Sequence, residues 1–321
     1  IVSTSNQLGF VILESFEKGA QYSRYSFIGW NPQMIIRSKN NLTQIKENGA
    51  WKDEPKPFLD VLRSIQQKYQ APKLSEIPHF TGGLVGYMGY ESIVWVEDIP
   101  IYKEDELQCP DAIFMLFQNL IAFDHLQNQI ILFSNVQVED GMDLRQAYDD
   151  AHAHIDEMGE DLHTDIDYQT PAMKQQSELT SNFTKEEFES AVLKGKEHIN
   201  AGDVFQLVLS QRFQRQTSAD SLTLYRALRS INPSPYMFHL KMDDFDIIGA
   251  SPELLVKVED SEIEIRPIAG TRQRGMDDAE DARLAESLLK DEKERAEHLM
   301  LVDLGRNDVG RAAVFDSVHV K

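Results

Sequence analysis

Two carboxylates and an imidazole stand close together in DEKERAEHLMLVDLGRNDVGR, residues 291–311: Glu294, Glu297 and His298. The charged start and apolar LMLV centre predict a helix, on which positions i, i+3 and i+4 share one face. Carboxylates held that close repel each other, and a hard divalent cation relieves the repulsion. Mg²⁺ takes a few carboxylate oxygens and fills its other positions with water or an anionic substrate. The competing reading is a solvated face on which Lys293 and Arg295 are surface partners and His298 makes a structural hydrogen bond. Three further places carry chemistry-bearing residues: Gln206 in VFQLVLSQRF, Glu253 in GASPELL, and Gly270 and Thr271 followed by Arg272 and Arg274 in AGTRQRG. Read alone, they are a polar strand residue, an exposed strand-end carboxylate and a surface turn.

Composition narrows what these residues can act on. Lys and Arg total 32 against 53 Asp and Glu, a formal net charge of −21, which repels nucleic-acid backbones and anionic lipid surfaces. An anionic substrate would need a local metal, arginines or backbone amides to overcome that field. The single cysteine, Cys109, forbids an intrachain disulfide and fits a reducing, cytoplasmic compartment. No apolar run approaches the roughly 20 residues of a membrane-spanning helix, and IVSTSNQLGF lacks signal-peptide character. The chain begins at Ile1 and stops inside the alternating stretch AVFDSVHVK, where a strand reads as just starting, so it is expected to be a fragment.

The elements that must position these residues are mixed. Residues 1–50 alternate apolar runs (FVILES, YSFIGW, MIIRS) with turns at Glu17–Gly19 and at Asn31 and Pro32, predicting antiparallel strands. KPFLDVLRSIQQKY predicts an amphipathic helix with Phe58, Val61, Leu62 and Ile65 on one face. Four glycines in FTGGLVGYMGYE imply close backbone approach or positive φ. DAIFMLFQNLIAFDH and NQIILFSNVQV read as paired strands, and a helix follows near Asp143–Met158. Residues 159–182 are polar and acidic, a linker between an N-terminal region (1–158) and a second one (183–321). Thr184–Glu187 forms a capping box for a helix that Gly202 ends. VFQLVLSQRF alternates as a strand with Gln206, Ser210 and Arg212 on its polar face, FDIIGAS and EIEIRPI read as strands, and EDARLAESLLK as a helix. The fold expected is α+β with largely antiparallel sheets, since neither regular βαβ alternation nor a glycine-rich phosphate fingerprint occurs.

In order along the chain, GDVFQLVLSQRF, IIGASPELLV, RPIAGTRQRG and KERAEHLMLVDLGRNDVGR resemble the motifs of the chorismate-utilising enzymes. Within that family the anthranilate synthase large subunits are the most similar, the match running from about Asn182 onward, with LESFE and RYSFIG resembling their amino-terminal region. The resemblance implies antiparallel sheets packed as a sandwich with helices outside, incomplete here, and a reaction of chorismate with ammonia from a glutamine amidotransferase subunit. It implies Glu297 as a Mg²⁺ ligand supported by Glu294, Glu253 as the general acid for the departing hydroxyl, and Gly270 and Thr271 as substrate contacts. Water-adding relatives carry a lysine base where this chain has Gln206, and an amide cannot deprotonate water, whereas free ammonia is already a nucleophile. Ala269 stands where relatives that make aminodeoxychorismate often place a nucleophilic lysine. Aminodeoxychorismate synthesis and a non-catalytic tryptophan-binding relative are the competing functions. Leu13, Glu14 and Ser15 together with Pro235, Tyr236 and Met237 of NPSPYMF resemble the family's tryptophan feedback pocket. The family's second metal carboxylate and catalytic histidine would lie past Lys321, so the fragment alone is expected to be inactive.

Overall fold

The computed structural model describes residues 9–16, 24–100, 105–164 and 177–321. In chain order its elements are β1 (Phe10–Glu14), β2 (Tyr25–Trp30), β3 (Met34–Lys39), β4 (Leu42–Glu47), β5 (Ala50–Glu54), α1 (Phe58–Lys68), β6 (Gly83–Met88), β7 (Ala112–Phe117), β8 (Asn119–Asp124), β9 (Gln129–Ser134) and α2 (Leu144–Leu162). They continue with β10 (Thr180–Ser181), α3 (Lys185–Ala201), β11 (Phe213–Gln214), α4 (Ser221–Ile231), β12 (Tyr236–Lys241), β13 (Asp246–Ser251), β14 (Lys257–Glu259), β15 (Glu262–Glu264), α5 (Asp278–Lys290) and α6 (Glu292–Gly310). Among the described residues no helix is long and apolar enough to cross a membrane. The chain forms two compact units, one of residues 1–164 and 228–321, the other of residues 165–227.

In the first unit a six-stranded sheet of order β13-β12-β1-β2-β8-β9 faces a five-stranded sheet of order β5-β4-β3-β7-β6, with every ladder antiparallel. Val11 and Leu240 from the first sheet meet Ile35, Ile113, Met115 and Phe117 from the second, giving the buried layer of a sandwich. The outer face of the five-stranded sheet is covered by α1, whose Phe58, Val61 and Ile65 pack on Ile36 and Ala112. This is the expected sandwich with helices outside. Because β12 and β13 extend the sheet begun by β1 and β2, one layer draws strands from both expected regions, 1–158 and 183–321.

Local chemistry explains the turns. Asn40 and Asn41 between β3 and β4, and Asn48 and Gly49 between β4 and β5, all have positive φ, the conformation that two-residue hairpin turns demand. Asp124 is buried at the end of β8, where it accepts hydrogen bonds from the backbone N–H groups of Leu126 and Gln127 and from the Arg24 guanidinium at 2.7 Å. The Arg24 bonds, aided by those amides, hold its carboxyl below the ordinary range. The expected turn at Glu17–Gly19 lies outside the described residues, as does much of the 159–182 segment, residues 165–176.

Two expectations about strands change. The run Ala112–Asp124 is not one strand: it breaks at Gln118, so β7 belongs to the five-stranded sheet and β8 to the six-stranded one, where it pairs β9. In the second unit, α3 carries the expected capping box, with Glu187 N donating to Thr184 Oγ1 and Thr184 N to the Glu187 carboxylate, and it ends at Gly202 with φ 83°. Yet the alternating run 204–213 contributes only Phe213 to a strand, the short ladder of β11 with β10. Alternation describes a pleat but supplies no hydrogen-bonding neighbour: among the described residues 204–212 belong to no strand ladder, and the pairing with the 180–182 segment begins only at Arg212, whose carbonyl accepts from Asn182 N at 3.2 Å. EIEIRPI likewise shortens to β15, paired with β14.

Candidate active site

The expected carboxylate helix exists as α6. Asp291 caps it, its carboxylate accepting the backbone N–H groups of Lys293 at 3.0 Å and Glu294 at 3.1 Å. Arg272, from the turn after Thr271, donates to the other Asp291 oxygen at 2.6 Å, and its second amino group lies 3.8 Å from Glu294 Oε1. The residue Arg272, expected to be a surface side chain, is therefore what fixes the glycine-bearing turn to the start of α6. Gly270 is part of the same junction: it has φ 82°, and a Cβ there would stand 3.0 Å from Leu288 Cδ1 and 3.3 Å from Glu294 Oε2. Arg274 has a similar neutralised character, pairing with Asp281 at 2.7 Å.

The electrostatic consequence can be measured. The Glu294 amide, with the Arg272 guanidinium, holds the Asp291 carboxyl below the usual aspartate range. A folded-state pKa depressed in this way gives stabilisation that is complete above the unfolded value of about 3.9 and is lost as pH falls through the folded one. An Arg272→Ala substitution is expected to move the Asp291 titration upward in an NMR pH series and to fray the first turn of α6 at a higher pH than in the parent chain. An unmoved titration would remove Arg272 from this role.

Glu297 follows one turn after Glu294. It is partly exposed, and its carboxylate makes no hydrogen bond or ion pair among the described residues. Hard carboxylate oxygens one helical turn apart are the donor type Mg²⁺ selects, and among the described residues Glu297 has no competing cation. Among the described residues no three His, Cys, Asp or Glu side chains converge to hold a metal. Glu294 and Glu297 are therefore two donors of the type such a cation takes, with no third converging on them among the described residues.

The other expected residues are placed as follows. Glu253 is exposed just beyond β13, its backbone N–H donating to Ser251 Oγ at 3.2 Å, and its carboxylate has no partner among the described residues. Thr271 is exposed in the turn between Gly270 and Arg272. Gln206 is exposed in the second unit. Contacts therefore join Gly270 to Glu294, while the side chains of Glu253, Thr271 and Glu297 form no hydrogen bond with one another.

A second expected cluster comes together in the first unit. Antiparallel pairing sets Glu14 opposite Met237 and Leu13 opposite Phe238, and the Phe16 amide donates to Ser234 O at 3.0 Å. Met237 is buried, whereas Ser15, Pro235 and Tyr236 are half-buried. Sequence reasoning did not find Arg229, near the end of α4, which contacts Glu14 Oε2 at 3.0 Å and lies 4.4 Å above the Phe16 ring. Its position in the last helical turn was the only available signal.

The model of the chorismate binding enzyme family matches residues 10–321. The chain is 42% identical to anthranilate synthase component 1 of Acetivibrio thermocellus, the match covering 97% of this chain and 64% of that protein. It is 37% identical to the chloroplastic anthranilate synthase alpha subunit 1 of Arabidopsis thaliana, over 97% of this chain and 56% of that one. The crystal structure of anthranilate synthase component I from Streptococcus pneumoniae matches with a TM-score of 0.78 at 32% identity, covering 92% of this chain and 63% of that chain. The menaquinone-specific isochorismate synthase MenF of Escherichia coli, at a TM-score of 0.58 and 15% identity, shares the fold. The chain thus spans somewhat less than two thirds of the length of these relatives. A match to the family model over residues 10–321, on a fold that also superposes on a solved anthranilate synthase component I, means that the chain belongs to the chorismate binding enzymes.

Proposed function

We propose that the full-length protein is the large subunit of an anthranilate synthase. It converts chorismate and ammonia, delivered by a glutamine amidotransferase subunit, to anthranilate, pyruvate and water in tryptophan biosynthesis. The observation that carries this reading is the junction of the Gly270 turn with α6, where a positive-φ glycine and Arg272 lie against Asp291 and Glu294. The names of the relatives at 42% and 37% identity support the same reading. In it, ammonia adds to the ring, the hydroxyl leaves as water with a proton from Glu253, and pyruvate is then eliminated. Gly270 offers its amide and Thr271 its hydroxyl to substrate oxygens. Gln206 supplies no base for water attack, and Ala269 offers no covalent nucleophile. Glu297, with Glu294 behind it, would hold Mg²⁺, which when bound offsets the charge of a substrate carboxylate.

Feedback inhibition by tryptophan belongs to this proposal. Glu14, already ion-paired with Arg229 at 3.0 Å, is the carboxylate that the ligand's ammonium group would share, Met237 and Tyr236 are apolar walls for an indole, and Ser15 lines the entry. Replacement Ser15→Arg puts a cation and a long side chain where an ammonium group must approach Glu14. Tryptophan inhibition is expected to weaken by at least about tenfold in concentration, a difference of about 1.4 kcal/mol. Unchanged inhibition by tryptophan would end the assignment of these residues.

The decisive assay expresses the gene to its natural stop codon and supplies chorismate, an ammonium salt and Mg²⁺, following anthranilate fluorescence with EDTA and tryptophan as separate additions. Metal-dependent anthranilate formation supports the proposal. Accumulation of aminodeoxychorismate would mean that Ala269 does not discriminate as argued, and tryptophan binding without turnover would favour a regulatory protein.

A further inference from the structure

At one end of the sandwich in the first unit, a cavity of about 550 Å³ lies between β3 and β4, the 107–110 loop and the turn joining β12 to β13. Its floor includes Arg37, which has no acidic partner among the described residues. The guanidinium stacks 3.9 Å from the centre of the Trp51 ring, and its Nε–H donates to Gln44 Oε1 at 2.9 Å. Gln44 is itself oriented, donating through Nε2 to Asp53 at 2.8 Å. A chain of three side chains and an aromatic face therefore fixes the guanidinium, while its two terminal amino groups donate to nothing among the described residues. The neighbouring cation is committed differently: Lys39 pairs with Asp105 and Asp111 and donates to Cys109 O at 2.6 Å. Leu42, Leu107, Pro110 and Phe245 give the cavity apolar walls.

We propose that this cavity binds a small monocarboxylate with an apolar or aromatic body, its two oxygens received by the free amino groups of Arg37. A planar fork with both outer donors unspent matches a carboxylate bidentately, and an orienting network lowers the cost of holding it there. The volume suits a small organic molecule, and the apolar walls suit its body rather than a bare ion. Asp244, exposed on the rim, sets the limit of one negative charge, since a second carboxylate on the ligand would meet it. This site is separate from both the α6 carboxylates and the Glu14–Met237 cluster.

Cys109 makes the test direct, because the chain's one cysteine lines this cavity and is partly accessible. The rate at which iodoacetamide alkylates it is followed by mass spectrometry on the full chain, with 3-phenylpropionate as probe and its neutral analogue 3-phenylpropanol as comparison. The acid is expected to slow alkylation saturably, with a Kd on the order of millimolar and about tenfold protection at ten times that concentration. The alcohol is expected to protect little, and Arg37→Gln to abolish the acid's protection while circular dichroism stays unchanged. Equal protection by acid and alcohol, absence of protection by the acid, or undiminished protection in a folded Arg37→Gln chain would each overturn the proposal. The acid–alcohol comparison uses the unmodified protein, so a misfolded variant does not affect it.

Discussion

Glu297→Gln in the full-length protein is expected to lower kcat/KM for anthranilate formation by about two to three orders of magnitude, the range for losing one preorganised electrostatic partner of a reacting anion. Glutamine keeps the size and helix propensity of the side chain but removes the charge, and its amide oxygen is a weaker ligand for a hard cation. Of the two carboxylates on this face, Glu297 has no ion pair among the described residues, whereas Glu294 lies 3.8 Å from the Arg272 guanidinium. A cation brought to α6 therefore gains most from Glu297. Glu294→Gln should be the milder change, and raised Mg²⁺ should restore part of the activity of Glu297→Gln. Mn²⁺ binding followed by electron paramagnetic resonance separates affinity from turnover. If Glu297→Gln stays within about threefold of the parent in both assays, a difference below about 0.7 kcal/mol, this glutamate is a solvated surface residue and the cation is held elsewhere.

How much of this was legible in the sequence follows from how local each cause is. The Thr184–Glu187 capping box, the Gly202 stop and the Phe58–Ile65 stripe are written within one or two helical turns, and the structure reproduces them. Hairpins such as β3–β4, closed by Asn40 and Asn41, are nearly as local. Pairing β1 with β12 joins segments more than 200 residues apart, and no periodicity carries that information. The break of the Ala112–Asp124 run at Gln118 is hidden for a related reason: both halves are apolar and strand-forming, and what separates them is their distant partners, β3 and β6 for β7 but β2 and β9 for β8. At the site, residue types gave the α6 carboxylates, but the pairing of Arg272 with Asp291 and Glu294 depends on a turn 19 residues before Asp291. The Arg37–Trp51 contact likewise reaches from β3 to β5 across the intervening β4, which alternation cannot name.

The glycine-rich segment 80–91 had two explanations in sequence terms, and the structure divides them between residues in a way that mutation can check. Gly82 and Gly83 have φ of 153° and 128°, so they are needed for backbone conformation. Gly86 has ordinary extended geometry but is pressed against β7: a Cβ there would overlap Ile113 O and lie 2.7 Å from Phe114 Cα. Those are main-chain atoms, which cannot rotate away as a side chain can, so relief requires the β6–β7 ladder to part. Gly86→Ala is therefore expected to destabilise the protein by about 3 kcal/mol or more, a large fraction of the 5–15 kcal/mol of a typical domain. Gly49→Ala is the matched control. It carries a positive φ of 82° in the β4–β5 turn but has nothing within 4 Å of the added methyl, so its cost is confined to the backbone conformation, about 1 kcal/mol. Urea unfolding of both variants should show a midpoint shift at least about twice as large for Gly86→Ala, with similar slopes. Equal shifts would mean that β6 can move off β7 at little cost, and that the close approach at Gly86 does not hold this edge of the sandwich together.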